Sequence, residues 1–291
     1  METQNKTARR VGRTVAALLT ALLLLAALPI GASAATVRPP SGSVTTDVYL
    51  NGAEVLDGEC IIYRSVTYVP LRNFCNLLAS CEFSWNGKTG TATVTTKDLT
   101  LTVQNGALYI IANGHYFYTV EAVMNLNGSL YVPIRPLARA FAVDVVWNNS
   151  ARRVELAPVG SKRAVAPAAY NADDVYWLSR IISAESKGEP FRGQIAVGNV
   201  VLNRVRSSAY PNTIWGVIFD RKHGTQFSPV SFGTIYQTPS ASSVIAAKIC
   251  LEGYSISDTA LFFVNPRIAT SSWIQKNRPY AFTIGNHDFY N

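Results

Sequence analysis

The stretch Ile182–Val205, ISAESKGEPFRGQIAVGNVVLNRV, reads as two helices around a sharp turn, with a carboxylate where a core residue belongs. Upstream, Val175, Leu178 and Ile182 recur three and four residues apart, the period of one helix face. The next position on that face is Glu185. A carboxylate there is costly unless it is paired, protonated or needed for chemistry. Gly188 stops the helix, and Glu189, preceding Pro190, is steered away from the α conformation. Pro190 suits the start of a second helix. Its Phe191, Ile195, Gly198, Leu202 and Val205 alternate four and three apart, and Val197 and Val201 widen the face, so this helix is expected to be largely buried. The first helix is expected to open at Asn171 or Asp173, both good caps.

Glu185 sits in the last turn of its helix, where burial and the negative end of the dipole both disfavour the anion. Glu189 opens the next helix, where the dipole favours it. Two nearby acids in opposite environments are one signature of an acid/base site. The alternative is a core glutamate paired with Arg180, Arg192 or Arg204, and the residues alone leave both open.

Further along, PNTIWGVIFD (Pro211–Asp220) reads as a short helix. TPSASSVIAAKICLEG (Thr238–Gly253) reads as another, with Thr238 as N-cap, Pro239 at N1 and Gly253 as its stop. ALFFVNP reads as a strand, ATSSWIQKN as a helical turn and the tail YAFTIGNHDFYN as extended. The second half is therefore expected to be a mainly α domain over residues 173–291. A small-residue, Pro-containing segment, GSKRAVAPAAYNADD, marks a linker over residues 159–172.

Ahead of the linker lies an internal repeat. Thr67–Val94, TYVPLRNFCNLLASCEFSWNGKTGTATV, matches Leu130–Leu156, LYVPIRPLARAFAVDVVWNNSARRVEL. Tyr68-Val69-Pro70 recurs as Tyr131-Val132-Pro133, Arg72 as Arg135, and Trp85-Asn86 as Trp147-Asn148, with one residue lost between helix and Trp. Each unit reads as strand, short helix opened by the Pro, then two strands. LNG, GKTG, NGALYIIANG and NLNGSLYV supply hairpin turns. The pattern resembles the copper amine oxidase N-terminal-like domain over residues 43–158, which implies an α+β stalk. Despite that name no copper is expected: this half has His115 alone and no cluster of imidazole or thiolate ligands.

At the N-terminus, Lys6, Arg9, Arg10 and Arg13 precede the apolar run VAALLTALLLLAAL, and Ala32-Ser33-Ala34 follows. These are the three parts of a secretory signal peptide, residues 1–34, and the run falls short of the ~20 residues that a membrane span needs. The leader carries four basic residues and one acid, three of the chain's net +8, leaving about +5. That modest excess suits an anionic wall polymer, and no basic stripe or nucleic-acid motif is present. Export makes a disulfide among Cys60, Cys75 and Cys81 expected, though spacing does not choose the pair. Cys250, in an apolar helical run, reads as an inert buried thiol.

AESKGEPFRGQIAVGNVVLNRV, QFSPV (Gln226–Val230), FFVNP…ATSSW and IGNHDF together resemble the SleB-type cell-wall hydrolase family, to which spore cortex-lytic enzymes belong. The resemblance spans Val175–Tyr290. It implies a helical fold similar to lysozyme and lytic transglycosylases, with the first Glu of the A-E-x-x-G-E block, Glu185, as the catalytic acid. Ser186-Lys187 departs from the commoner Ala-Arg and leaves the acid untouched. The implied substrate is peptidoglycan, in cell wall or spore cortex, cut outside the cytoplasm between N-acetylmuramic acid and N-acetylglucosamine with no cofactor. Glu189, Gln226, Phe227, Ser228, Asn265, Trp273 and His287 are the candidate substrate-binding residues, although Glu189 also suits a structural helix opener. Rival readings are a zinc amidase and an inactive wall-binding scaffold. The amidase needs a ligand set that His115, His223 and His287 do not supply, and the intact acidic block speaks against the scaffold.

Overall fold

The computed structural model describes residues 39–158, 164–222, 224 and 226–291. The expected signal peptide, residues 159–163 of the linker, His223 and Thr225 lie outside the described residues.

In the first domain β1 (Val44–Leu50), β2 (Ala53–Tyr63) and β3 (Val66–Pro70) lead into helix α1 (Leu71–Leu78). A meander comes next: β4 (Glu82–Asn86), β5 (Thr91–Thr95), β6 (Thr100–Gln104), β7 (Tyr109–Ala112) and β8 (His115–Tyr118). Then come β9 (Met124–Leu126), β10 (Ser129–Pro133), helix α2 (Ile134–Ala140), β11 (Val143–Asn148) and β12 (Arg153–Pro158). Both repeats fold as the sequence suggests, strand into helix into two strands. In each, the proline ends the strand as the helix N-cap. The two Tyr-Val-Pro strands pair antiparallel with each other, Tyr68 opposite Pro133, Val69 opposite Val132 and Pro70 opposite Tyr131. The repeats therefore meet about a local two-fold between Val69 and Val132. They then diverge: β4 and β5 join the five-stranded sheet β4-β5-β6-β7-β8, whereas β11 and β12 join the seven-stranded sheet β11-β12-β1-β2-β3-β10-β9. Hairpins turn at Asn51-Gly52, Asn113-Gly114 and Asn127-Gly128, each with both residues at positive φ. That backbone matches strand twist and favours Asn-Gly.

The expected disulfide is not formed. Cys60 on β2 and Cys75 on α1 are free thiols fully buried in the shared core, and Cys81 donates to the Ala79 carbonyl at 3.3 Å. Burial pushes the Cys60 thiol up to about 12, far from a reactive thiolate.

The second domain opens with α3 (Ala172–Ser186), where the Asn171 side chain accepts from the N–H groups of Asp173 and Asp174. Next come α4 (Phe191–Arg206), α5 (Ile214–Phe219), α6 (Ser228–Phe232), a 3-10 turn Thr234–Tyr236 and α7 (Ala241–Leu251). The cap of α7 is Ser240, which accepts from the Ser243 N–H, not Thr238, so this helix starts two residues later than its sequence suggests. A strand β13 (Phe262–Val264), a turn of helix α8 (Trp273–Asn277), and the hairpin β14 (Tyr280–Ile284) and β15 (His287–Tyr290) complete the chain, with sheet order β13-β15-β14. No helix among the described residues is long and apolar enough to cross a membrane.

Residues 164–171 are not a free tether. The Val165 N–H donates to Ala140, the Ala168 N–H donates to Asn113, and the Asn113 side chain donates to Val165. Tyr118 of β8 enters the second domain's core, its ring 4.5 Å from that of Tyr254. Glu252, just past α7, accepts from the Tyr170 hydroxyl and faces His115 Nδ1 at 2.7 Å. The two domains are packed together through these contacts.

Helices α3, α4 and α7 approach closely at Gly198. A Cβ there would lie 2.7 Å from Cys250 Sγ and 2.8 Å from Ile182 Cδ1, both in the core. Overpacking of this kind costs about 1–3 kcal/mol, against about 1 kcal/mol gained by replacing a mid-helix glycine. Gly198→Ala is therefore expected to lower the melting temperature, and a variant melting at or above wild type would show that the three-helix contact has slack.

Candidate active site

Helix α4 organises the second domain. Eleven of its residues are buried, among them Gln194, Asn199, Asn203 and Arg204. These polar side chains hold the chain from α7 to the start of β13 in place. Gln194 Oε1 accepts from the Ser242 and Ser243 hydroxyls. Asn199 donates to the Tyr254 carbonyl and accepts from the Ile256 N–H, both at 2.9 Å. Asn203 donates to the carbonyls of Ser257 and Ala260. Arg204 Nε donates to the Leu261 carbonyl at 2.8 Å. Buried polar groups with partners fix one arrangement of loops.

Glu185 lies in the last turn of α3, half-buried. It forms no ion pair and accepts no hydrogen bond among the described residues. Burial pushes its carboxyl up to about 7, against the pull of the Arg204 charge. Arg204 itself is 5% exposed, and its guanidinium lies 5.0 Å from the Phe227 ring centre, 5.1 Å from Tyr210 and 5.4 Å from Phe262. Its Nη1 is buried with no hydrogen-bond partner among the described residues. Of the three arginines that the sequence offers as partners, Arg204 is the one whose charge reaches Glu185, without an ion pair.

Glu189 has the opposite environment. Its carboxylate accepts from the Asn286 N–H at 2.8 Å and from Asn286 Nδ2 at 3.0 Å. Partial burial works to raise it, but these two bonds, helped by His287, hold it below the usual carboxylate range. The fit is close: a Cβ on Gly285, where φ is +60°, would fall 2.1 Å from Glu189 Oε2. The closing IGNHDF block is therefore clasped to the turn between α3 and α4.

The other candidates separate. Phe227 is 2% exposed and packs against Arg204 and Phe263, which places its ring in the core. His287 is 6% exposed, with its ring 5.2 Å from that of Phe263, and burial lowers its pKa below the usual imidazole value. Its Nδ1 is buried without a partner among the described residues. Asn265 lies just past β13, whose Val264 pairs with Asp288, and its Oδ1 accepts from the Arg267 N–H. Trp273 is 52% exposed at the start of α8, with the Arg278 guanidinium 5.2 Å from its ring centre. Ser228 is exposed at the start of α6, and Gln226, half-buried, donates to the Gly224 carbonyl. Ring and charge contacts thus connect Glu185, Arg204, Phe227, Phe263, His287 and Glu189. In the sequence, Arg204 reads only as an ion-pair partner. Its aromatic cage assembles from Tyr210, Phe227 and Phe262, three separate segments, and leaves no local signal.

Among the described residues, one group of three metal-ligand side chains lies close together: Asp47, Glu54 and Asp57, largely exposed on the first domain.

Fold and site define a two-domain protein with an α+β module ahead of a helical domain that carries one raised carboxyl. Residues 49–156 match the copper amine oxidase N-terminal domain family, and residues 188–290 match the Cell Wall Hydrolase family, starting just after Glu185. Its second domain is thus similar to the cell wall hydrolase family. The chain is similar to the spore cortex-lytic enzyme of Bacillus cereus, 37% identical over 142 residues, 49% of this chain and 53% of that protein. The Bacillus subtilis spore cortex-lytic enzyme is 37% identical over 123 residues, 42% of this chain and 39% of that protein. The chain thus spans about half the length of the curated relatives it matches. The solved catalytic domain of the germination-specific lytic transglycosylase SleB from Bacillus anthracis is 39% identical, with 43% of this chain and 100% of that one covered and a TM-score of 0.39. The Bacillus cereus SleB catalytic domain is 39% identical, with 45% and 100% covered and a TM-score of 0.38.

Glu185 has a signature in stability. Its folded-state value, about 7 against an ordinary 4.5, means the folded chain holds this proton more tightly than the unfolded chain. Stability from this group is full below about 4.5 and falls as pH rises towards 7. Glu185→Gln removes that loss. The melting temperature of the variant relative to wild type is expected to rise between pH 4.5 and 7 and then level off. A difference independent of pH would mean the carboxyl ionises normally.

Proposed function

We propose that this chain is an exported peptidoglycan-cleaving enzyme acting on cell wall or spore cortex, with Glu185 as its proton donor and a fold like that of lysozyme and lytic transglycosylases. The observation that carries the reading is the contrast between two acids. Glu185 is the carboxyl still able to hold a proton near neutrality, while Glu189 is an anion occupied by Asn286. Glycoside hydrolysis usually employs two free carboxylates. With Glu189 engaged in bracing, a one-acid mechanism fits better.

In that mechanism Glu185 gives its proton to the oxygen linking N-acetylmuramic acid to N-acetylglucosamine, and the bond to the muramic C1 breaks. The muramic C6 hydroxyl then attacks C1 and passes its proton to the Glu185 carboxylate. The products are a free N-acetylglucosamine hydroxyl and a 1,6-anhydro end, with the acid restored. Arg204 has two effects on this cycle: its charge moderates the rise in the Glu185 pKa, and it stabilises the carboxylate formed midway. Trp273, exposed beside the β13 edge, offers a stacking face for a sugar ring, and Ser228, Gln226 and Asn265 offer hydrogen bonds to its substituents.

Glu185→Gln keeps the shape but has no proton to give. Loss of general acid–base help is worth ~10²–10⁴-fold, and a residue serving in both roles belongs at the top of that range. The variant is expected to bind purified sacculi yet release almost no muropeptides. Wild-type activity is expected to fall as pH rises through about 7, because only the protonated acid starts the reaction. Mass analysis of muropeptides should find 1,6-anhydromuramic ends. Ordinary reducing ends would show that water attacks, and near-normal lysis by Glu185→Gln would refute the assignment of the acid.

A further inference from the structure

The two repeats of the first domain are filled differently. In the first, the Arg72 guanidinium lies 4.3 Å from the Phe83 ring centre and covers it. The equivalent pair in the second repeat is Arg135 and Val145. With no ring to cover, Arg135 Nη1 donates instead to the Val145 carbonyl at 2.9 Å. Asn76 of the first repeat is replaced by Arg139 in the second. A ring has been exchanged for a smaller side chain, and a neutral amide for a cation.

A cavity of about 820 Å³ lies at this place, a size suited to a small organic ligand. Its walls include Ile134, Val145 and Trp147 from the second repeat and Tyr118 from β8, while Glu252 and Tyr254 of the second domain also line it. Three arginines, Arg64, Arg135 and Arg139, line it too. The single lining acid, Glu252, is already engaged by the Tyr170 hydroxyl, by His115 and, at 3.7 Å, by Arg139. Arg64 is paired outside the lining with Glu121 at 3.5 Å, so the lining is largely apolar with one guanidinium, Arg135, that has no acid partner. Such a fork matches carboxylates, and the walls suit short aliphatic groups.

We propose that this cavity binds the carboxylate-bearing peptides of the wall polymer, with a carboxylate between Arg135 and Arg139 and small apolar side chains against Trp147 and Ile134. The proposal rests on the wall-cleaving reading and adds a second, non-catalytic contact with the same polymer. Because Glu252 and Tyr254 come from the catalytic domain, a bound peptide would also touch the domain that cuts the glycan.

The test is calorimetric titration of the full mature chain with the tetrapeptide Ala-Glu-Lys-Ala, with the same peptide amidated at both carboxyls, and with decanoate. The free peptide is expected to bind saturably, and the amidated one at least tenfold more weakly. Val145→Phe restores the first repeat's ring and should weaken binding at least tenfold. Arg135→Gln, at an exposed position whose hydrogen bond is to one carbonyl, should do the same and decides the matter if Val145→Phe does not fold. No saturable binding of the free peptide, equal binding by Arg135→Gln, or displacement of the peptide by decanoate as the tighter ligand would overturn the proposal. Glu185→Gln protein should bind the peptide like wild type, so failure here and failure of the catalytic assignment are read separately.

Discussion

Burial is what raises the Glu185 carboxyl, and in this chain the enclosed helix α4 provides the framework for that burial. The helix is enclosed on nearly every side, so its polar residues must find partners inside the protein. Gln194, Asn199, Asn203 and Arg204 find them in the segments from Ser242 to Leu261. One set of bonds thus fixes the loops after α7, delivers β13 and positions the Arg204 guanidinium. Close contact of α3 with α4 at Gly198 then carries the end of α3, and with it Glu185, against this framework.

The separation of the two acids results from the same packing. Glu185 and Glu189 are four residues apart, yet one faces inward at a helix end and the other projects from a turn towards the C-terminal hairpin. Asn286 supplies two donors to Glu189 while no described residue supplies any to Glu185. Hydrogen bonding to the charged form lowers a carboxyl pKa and burial raises it. The difference in donors therefore sets the two carboxyls apart more firmly than distance along the chain does.

Local patterns are what the sequence makes legible. Period-3.6 spacing locates α3 and α4, Asn-Gly pairs locate the hairpins, and the Tyr-Val-Pro repeat exposes the first domain's duplication. Glu185 is legible because a charge interrupts an otherwise apolar stripe. Features that escape such reading depend on contacts between distant segments. Phe227 looks like a sugar-binding aromatic, but Arg204 and Phe263, remote in sequence, enclose it. Thr238 and Ser240 are both acceptable caps, and the structure uses the one whose hydroxyl reaches Ser243. The linker's small residues suggest freedom, because nothing in its composition reveals that Asn113 and Ala140 bind its backbone. Free Cys60 and Cys75 fill the core as small apolar groups, a role that spacing does not distinguish from a bridge.

Close docking also alters what the first domain can be. A stalk needs only a tether, yet Tyr118 packs in the second domain's core and Glu252 is bound from the first domain and the linker at once. Buried polar contacts of this kind are costly to break one at a time, since the partner left behind loses its bond without regaining water. The two domains are therefore expected to move together. A ligand held on the first domain would then keep a fixed distance from the Glu185 end of α3, which a flexible tether could not ensure. The duplicated unit differs between its copies at that junction: one holds the Phe83 ring under Arg72, and the other, with Val145 at the equivalent place, lines the cavity where the two domains meet.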